Sequence, residues 1–216
     1  MPATRMLLIR HADVENPRRV LYGHLPGFVL SELGRAQAGE LGRRLHDSGL
    51  ARIVHSPLDR ARETAELICR RLPAPVPLVP ESELREAEFS RYLQGVPFMQ
   101  IPLRRPLWFV HKARRGLLPG DESIEQMGGR IVKTMHAVAA AHPGQVSALV
   151  SHADPLQAAW ILLEQLPQNE VEMHRKMIDK AGMLDVELDG TRLVRVTYVP
   201  PPKLEKPEPP ARLVSD

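Results

Sequence analysis

The strongest constraint on this chain is a series of short apolar runs, each long enough for one buried strand and each followed by a helical stripe. Met6-Leu7-Leu8-Ile9 is continuously apolar and ends abruptly in Arg10-His11, the pattern of a central strand covered on both faces. Ser31 precedes Glu32, Leu33, Ala36, Leu41 and Leu45. This predicts a helix over 32–48 with Ser31 as N-cap and Gly49 as its stop. Arg52-Ile53-Val54-His55 reads as a second strand. Ser56-Pro57 then reads as the cap and first residue of a helix that turns Leu58, Ala61, Ala65, Ile68 and Leu72 inward. Cys69, at the edge of that stripe, reads as a small buried hydrophobe.

The second half continues the alternation. Residues 76–79 read as a third strand. From Asp121, taken as an N-cap, Ile124, Met127, Ile131, Met135, Val138 and His142 recur at threes and fours and predict a helix over 122–142. Gly128-Gly129 weakens it locally. Residues 146–150 form another apolar run ending in Ser151-His152, residues 155–166 a helix, and 183–188 with 193–198 a hairpin around Asp189-Gly190. Such an order argues an α/β fold with a mostly parallel sheet. Pro97, Pro102, Pro106 and Pro119 break 89–120 into an irregular insertion, read as a lid. Residues 200–216 hold six prolines and read as a disordered tail beyond one domain spanning 1–199.

Composition narrows the function classes. Lys+Arg number 29 against 26 Asp+Glu, a net +3, too slight for a nucleic-acid-coating surface, and no aromatic-basic nucleic-acid module occurs. One cysteine excludes an internal disulfide. No apolar run of membrane length and no secretory signal are seen, so the reading is a cytoplasmic protein with no integral membrane segment. The insertion is locally basic. Between Glu88 and Asp121 lie Arg91, Arg104, Arg105, Lys112, Arg114 and Arg115 with no acidic residue. With Leu107, Trp108, Phe109 and Val110 it reads as a clamp on an anionic substrate, a homodimer contact or a membrane-surface contact, in that order. Ordinary packing of Trp108 and Phe109 under a solvated basic face reads equally well.

Parallel strands bring Arg10-His11, His55-Ser56 with Arg60 one turn on, and Ser151-His152 to one sheet edge. Arginine forks match phosphate oxygens, and a neutral imidazole can attack phosphorus, so this set suits phosphoryl transfer. Arginines at the same spot would repel a metal ion, and no glycine loop with its lysine is present. Neither metal nor cofactor is expected.

Leu8-Ile9-Arg10-His11-Ala12, Leu30 to Ala38 with its Ser31-Glu32-Leu33-Gly34 core, Ser56-Pro57-Leu58-Asp59-Arg60-Ala61, Leu84-Arg85-Glu86 and Val150-Ser151-His152 follow one another in this order. The chain thereby resembles the histidine phosphatase superfamily, the phosphoglycerate mutase-like proteins. The resemblance implies a three-layer α/β/α fold, with His11 as nucleophile and Arg10, Arg60 and His152 around the phosphoryl oxygens. Glu86 would be the general acid, with Glu83 or Glu88 as alternatives, and Asn16, Gly23 and Ala153 would be further phosphate contacts.

The implied activity is hydrolysis of a small phosphorylated substrate without metal. Phosphoglycerate mutase activity is the alternative, although the 65 residues between Glu86 and His152 are few for a mutase. A catalytically weak phosphate-binding module whose tail engages a partner is a further one. Two stretches depart from the family pattern. Ala12 to Pro17 replace a glycine, a hydroxyl residue and an asparagine one position later, and Ala153-Asp154-Pro155 replace glycines. Asp154-Pro155 read as N-cap and first helical residue. Asp13 and Asp154 would otherwise favour a leaving group with hydroxyl or cationic substituents.

Overall fold

Met6 to Ile9 are wholly shielded from solvent within β1 (Thr4–Arg10), as a strand without polar side chains requires. The structure is a computed structural model and describes residues 3–204. The further strands are β2 (Leu50–His55), β3 (Leu78–Pro80), β4 (Val146–Ser151), β5 (Met183–Asp189) and β6 (Arg192–Val199). They form one sheet in the order β3-β2-β4-β1-β5-β6. The first four of that order are mutually parallel, and the β5–β6 hairpin closes the edge antiparallel. The sheet is therefore mostly parallel, as the alternation predicts.

Alternate residues of β1 and β4 point to opposite faces. Leu7, Ile9, Ala148 and Val150 pack beneath α1 (Glu32–Arg44) and α2 (Asp59–Cys69), against Ala38, Leu41, Ala61, Ala65 and Ile68. Met6, Leu8 and Leu149 face α6 (Ile124–Ala141) and α7 (Ala153–Leu163), against Ile131, Met135, Leu156 and Trp160. Three layers result. Two glycines permit the close approaches. A Cβ on Gly34 of α1 would lie 1.9 Å from the Asp13 carbonyl oxygen, and one on Gly128 of α6 only 2.6 Å from Ala158 backbone.

Several boundaries differ from expectation. Ser31 does cap α1, accepting from Gly34 N at 3.0 Å, but the helix ends at Arg44 rather than near 48. Helix α2 starts at Asp59 with Leu58 at its N-cap, so Ser56 and Pro57 lie outside it and the Ser56 hydroxyl is used elsewhere. Ser123, not Asp121, caps α6 through reciprocal bonds with Gln126; Asp121 instead faces His111 at 3.0 Å. Asp154 is inside the first turn of α7, whose N-cap position belongs to His152. A short helix at Glu170–Arg175 carries no strong apolar stripe and was not expected.

The insertion contains α3 (Ser90–Leu93), α4 (Ile101–Arg104) and α5 (Leu107–Ala113), and the unexpected helix, α8 (Glu170–Arg175), comes after α7. Phe89, Leu93, Val96 and Ile101 give it a small core of its own, against which Trp108 packs, whereas Phe109 is 56% exposed. Pro200 accepts a bond from Arg44 Nη1 at 3.0 Å; residues 205–216, the bulk of the expected tail, lie outside the described residues. Among the described residues no helix is long and apolar enough to cross a membrane.

Candidate active site

Because β1, β2 and β4 are parallel, their carboxyl ends share one edge of the sheet, where α/β folds place their sites. His11 follows β1 directly and is 1% exposed. Its Nδ1 donates to the Ala12 carbonyl at 2.8 Å. A carbonyl can only accept, so the proton sits on Nδ1 and Nε2 presents a lone pair. That lone pair accepts from Arg60 Nε at 3.2 Å.

Arg60 comes from the first turn of α2 and is also 1% exposed. Its Nη2 donates to the Gly23 carbonyl at 2.9 Å, and its guanidinium lies 4.6 Å from the centroid of the Tyr22 ring. His152, at the end of β4, has its ring 5.1 Å from that of His11. Its Nε2 bonds the Ser56 hydroxyl at 2.8 Å, which explains why Ser56 is not a helix cap. Arg10 is fixed by a 2.6 Å bond from Nη1 to the Ile178 carbonyl. Two buried atoms here, Arg10 Nε and His152 Nδ1, have no hydrogen-bond partner among the described residues. Orphaned buried polar atoms are uncommon and point to a ligand that completes them.

Glu86 joins the cluster from the segment after β3. Its Oε2 lies 3.8 Å from His152 Nδ1 and 4.0 Å from Arg60 Nη2. Its Oε1 accepts from Ala87 N at 3.0 Å. Burial, reinforced by the negative Asp154, pushes the Glu86 carboxyl above its ordinary value, and the Arg60 charge only partly opposes this. Burial drives His11 and His152 well below the usual histidine value, and the Arg60 cation adds to it in both. The site thus holds two neutral imidazoles, two guanidiniums and one carboxyl disposed to keep a proton.

Of the alternative acids, Glu83 is exposed and Glu88 is bonded to Arg91 at 2.6 Å; Glu86 alone of the three reaches the cluster. Gly23 is in it through its carbonyl, and its φ of +48° suits glycine. Ala153 opens α7 beside Arg10 in a side cavity of about 240 Å³. The structure does not bring Asn16 in: both ends of its amide bond the Val20 backbone, at 2.7 and 3.1 Å. His55 stays apart too, donating within its own turn to Ser56 O at 2.9 Å. Asp13 is held by Ser31 at 2.6 Å and by Lys180. Asp154 is held by Arg115 at 2.8 Å. Both carboxylates are compensated, which removes the argument for a cationic leaving group.

Sequence reasoning missed Tyr22, placed Ser56 at the right edge but gave it a capping task, and named Arg115 without its partners. No local pattern marks Tyr22, and Ser56 carries a stronger capping signal. Arg115 is legible as part of a basic run, but its partners Asp154 and Glu170 lie 39 and 55 positions away.

A model of the histidine phosphatase superfamily (branch 1) matches residues 6–199. The chain belongs to this superfamily. Among its relatives is the uncharacterized protein Rv0525 of Mycobacterium tuberculosis, 29% identical over 204 residues, covering 93% of this chain and 98% of that one. The uncharacterized phosphatase PhoE of Bacillus subtilis is 25% identical over 185 residues, covering 85% and 88%. The solved structure of Bacillus stearothermophilus YhfR shares the fold, with a TM-score of 0.80 at 24% identity, over 91% of this chain and 96% of that one. The superfamily match runs from β1 into β6, so the insertion lies inside the histidine phosphatase fold.

Proposed function

We propose that the protein is a metal-independent phosphomonoester hydrolase working through a phosphohistidine on His11. The observation that carries this reading is the tautomer of His11, whose buried Nε2 turns its lone pair to the Arg60 guanidinium. A phosphoryl group placed there takes its oxygens into the donors of Arg60, Arg10 Nε and His152 Nδ1. Once a phosphate oxygen accepts from Arg60 Nε, the His11 lone pair is free to attack phosphorus. The phosphorus–nitrogen bond forms as the bond to the leaving oxygen breaks, and Glu86 gives its proton to that oxygen. The resulting Glu86 carboxylate then takes a proton from water as the water attacks the phosphohistidine. Inorganic phosphate leaves, and both groups return to their starting states. The paired guanidiniums supply the positive charge that a metal ion supplies elsewhere.

The test compares the wild type with His11→Ala, chelator present, on a panel of phosphomonoesters that includes 3-phosphoglycerate with and without 2,3-bisphosphoglycerate. Phosphate release and an acid-labile phosphoenzyme, both lost in the variant, are expected. Formation of 2-phosphoglycerate without phosphate release would make the protein a mutase, and turnover surviving in His11→Ala would overturn the mechanism.

A further inference from the structure

We infer that the substrate is the phosphomonoester of an apolar, uncharged chain alcohol, whose first carbons fill the cleft and whose remainder leaves over Phe98, Met99 and Leu103. This deepens the hydrolase reading and rests on it. Glu86 and Gly23 lie on the wall of a cavity of about 170 Å³, so it opens onto the catalytic set. Leu21, Tyr22, Phe89, Leu93 and Phe98 make most of the rest of its wall, and Asp154, whose charge is taken up by Arg115, is its second carboxylate. Among the described residues no lysine or arginine side chain lines it.

Arg19, whose carbonyl accepts from Phe98 N at 3.1 Å, and Arg104 lie outside the wall, and four other cations of the insertion are committed elsewhere. Arg91 is paired with Glu88 at 2.6 Å, Lys112 with Glu170 at 3.0 Å and Arg115 with Asp154 at 2.8 Å, while Arg105 donates to the Tyr92 carbonyl at 2.7 Å. Polar members of the wall are committed too. His111 is bonded to Asp121 and stacked on Phe89 at 4.0 Å, and Ser90 donates to Ala87 O at 2.6 Å. A carboxylate or second phosphate on the leaving group would be desolvated there without a counter-charge, which is costly. An alkyl chain meets no such penalty.

Size and exposure give the path. At about 170 Å³ the cavity has room for the first carbons of a chain and not for a long one. Phe98 is part of its wall and is also 51% exposed; Met99 beside it is 92% exposed and Leu103, one turn on in α4, is 87% exposed. An apolar surface continuous with the cleft mouth is what a longer chain would cover.

The experiment measures kcat/KM for butyl, hexyl, octyl and decyl phosphate below their micelle concentrations, against glycerol phosphate and 3-phosphoglycerate. All are esters of unactivated alcohols, so leaving-group chemistry differs little along the alkyl series. The expected result is a rise of about two- to fourfold per methylene as far as hexyl, then a smaller rise to decyl. Phe98→Ala should lower the hexyl-to-butyl ratio. The double variant Met99→Ser with Leu103→Ser, at exposed positions that carry no packing, should flatten the hexyl-to-decyl step. Val194→Ser, exposed on β6, should leave the whole series unchanged. A flat or falling alkyl series, or 3-phosphoglycerate turned over faster than hexyl phosphate, overturns the inference while the hydrolase stands. No phosphate from any ester and no phosphoenzyme would overturn both.

Discussion

Arg60 Nε donates to His11 Nε2 at 3.2 Å, so one buried guanidinium grips the nitrogen proposed as nucleophile while its Nη2 is tied to the Gly23 carbonyl at 2.9 Å. Only a planar fork can serve both directions from one side chain. Arg60→Lys is therefore expected to lower kcat/KM by about 10²- to 10³-fold, read by steady-state phosphate release. Activity within a factor of a few of wild type would show that charge alone suffices.

Glu86→Gln keeps the shape of the acid and removes its proton. Loss of general acid catalysis should lower kcat by about 10²- to 10⁴-fold for alkyl esters, and less for an ester such as 4-nitrophenyl phosphate, whose leaving oxygen needs no proton. The wild-type pH profile should fall on its alkaline side as Glu86 ionises above the ordinary carboxyl value of 4.5, and this limb should vanish in the variant. An alkaline limb unchanged in Glu86→Gln would assign the proton to another group.

The two buried imidazoles make a prediction about stability. His11 and His152 have folded pKa values well below 6.5, so between those values and 6.5 the unfolded chain binds protons that the folded chain refuses. Stability must then fall as pH falls through that window, by at most about 1.4 kcal/mol per pH unit for each histidine. Glu86 acts in the opposite direction, since its raised folded value favours the folded chain at lower pH and the advantage is lost as pH rises through it. Urea melts from neutral pH downward should show a slope that is shallower in His11→Gln. Equal slopes would mean that His11 is protonated in the folded protein.

Arg115 ties the insertion to α7 and α8: 5% exposed, it bonds Asp154 at 2.8 Å and also Glu170. Arg115→Ala strands two carboxylates, both of which retain some access to solvent, so a loss of about 2 kcal/mol is expected rather than the larger cost of a fully buried pair. Arg115→Ala combined with Asp154→Asn should recover part of it. No recovery in the denaturation midpoint would show that the pair is not energetically coupled.

Gly34→Ala tests the support beneath the His11 turn. The added Cβ would sit 1.9 Å from the Asp13 carbonyl oxygen, so α1 or the turn must shift, at a cost of about 3 kcal/mol. Thermal unfolding reads it directly, and Gly129→Ala, whose Cβ meets open space, is the control.

Much of this was legible locally. The run around Leu7 demanded a doubly covered strand, and the parallel alternation alone put Arg10, His11, Arg60 and His152 at one edge. Ser31 was readable as a cap because its partner, Gly34 N, is three residues away. What stayed illegible is non-local. Asp121 resembles an N-cap as closely as Ser123 does, and only the fold shows that it is occupied by His111. Asp154 before proline has the form of a cap until Arg115 arrives from another segment. Asn16 lies near the position the superfamily pattern suggests, yet its own loop claims both ends of its amide.

The strand order has a consequence for how the protein is made. β1, which delivers Arg10 and His11, is paired on one side with β4 and on the other with β5, so both of its neighbours come from the last third of the chain. Arg10 and His11 are therefore separated by about 135 residues from the start of the first strand that flanks theirs. A chain ending before β4 holds His11, Arg60 and Glu86 but lacks His152 and both strands that flank β1, so the cluster comes together only when β4 and β5 are in place.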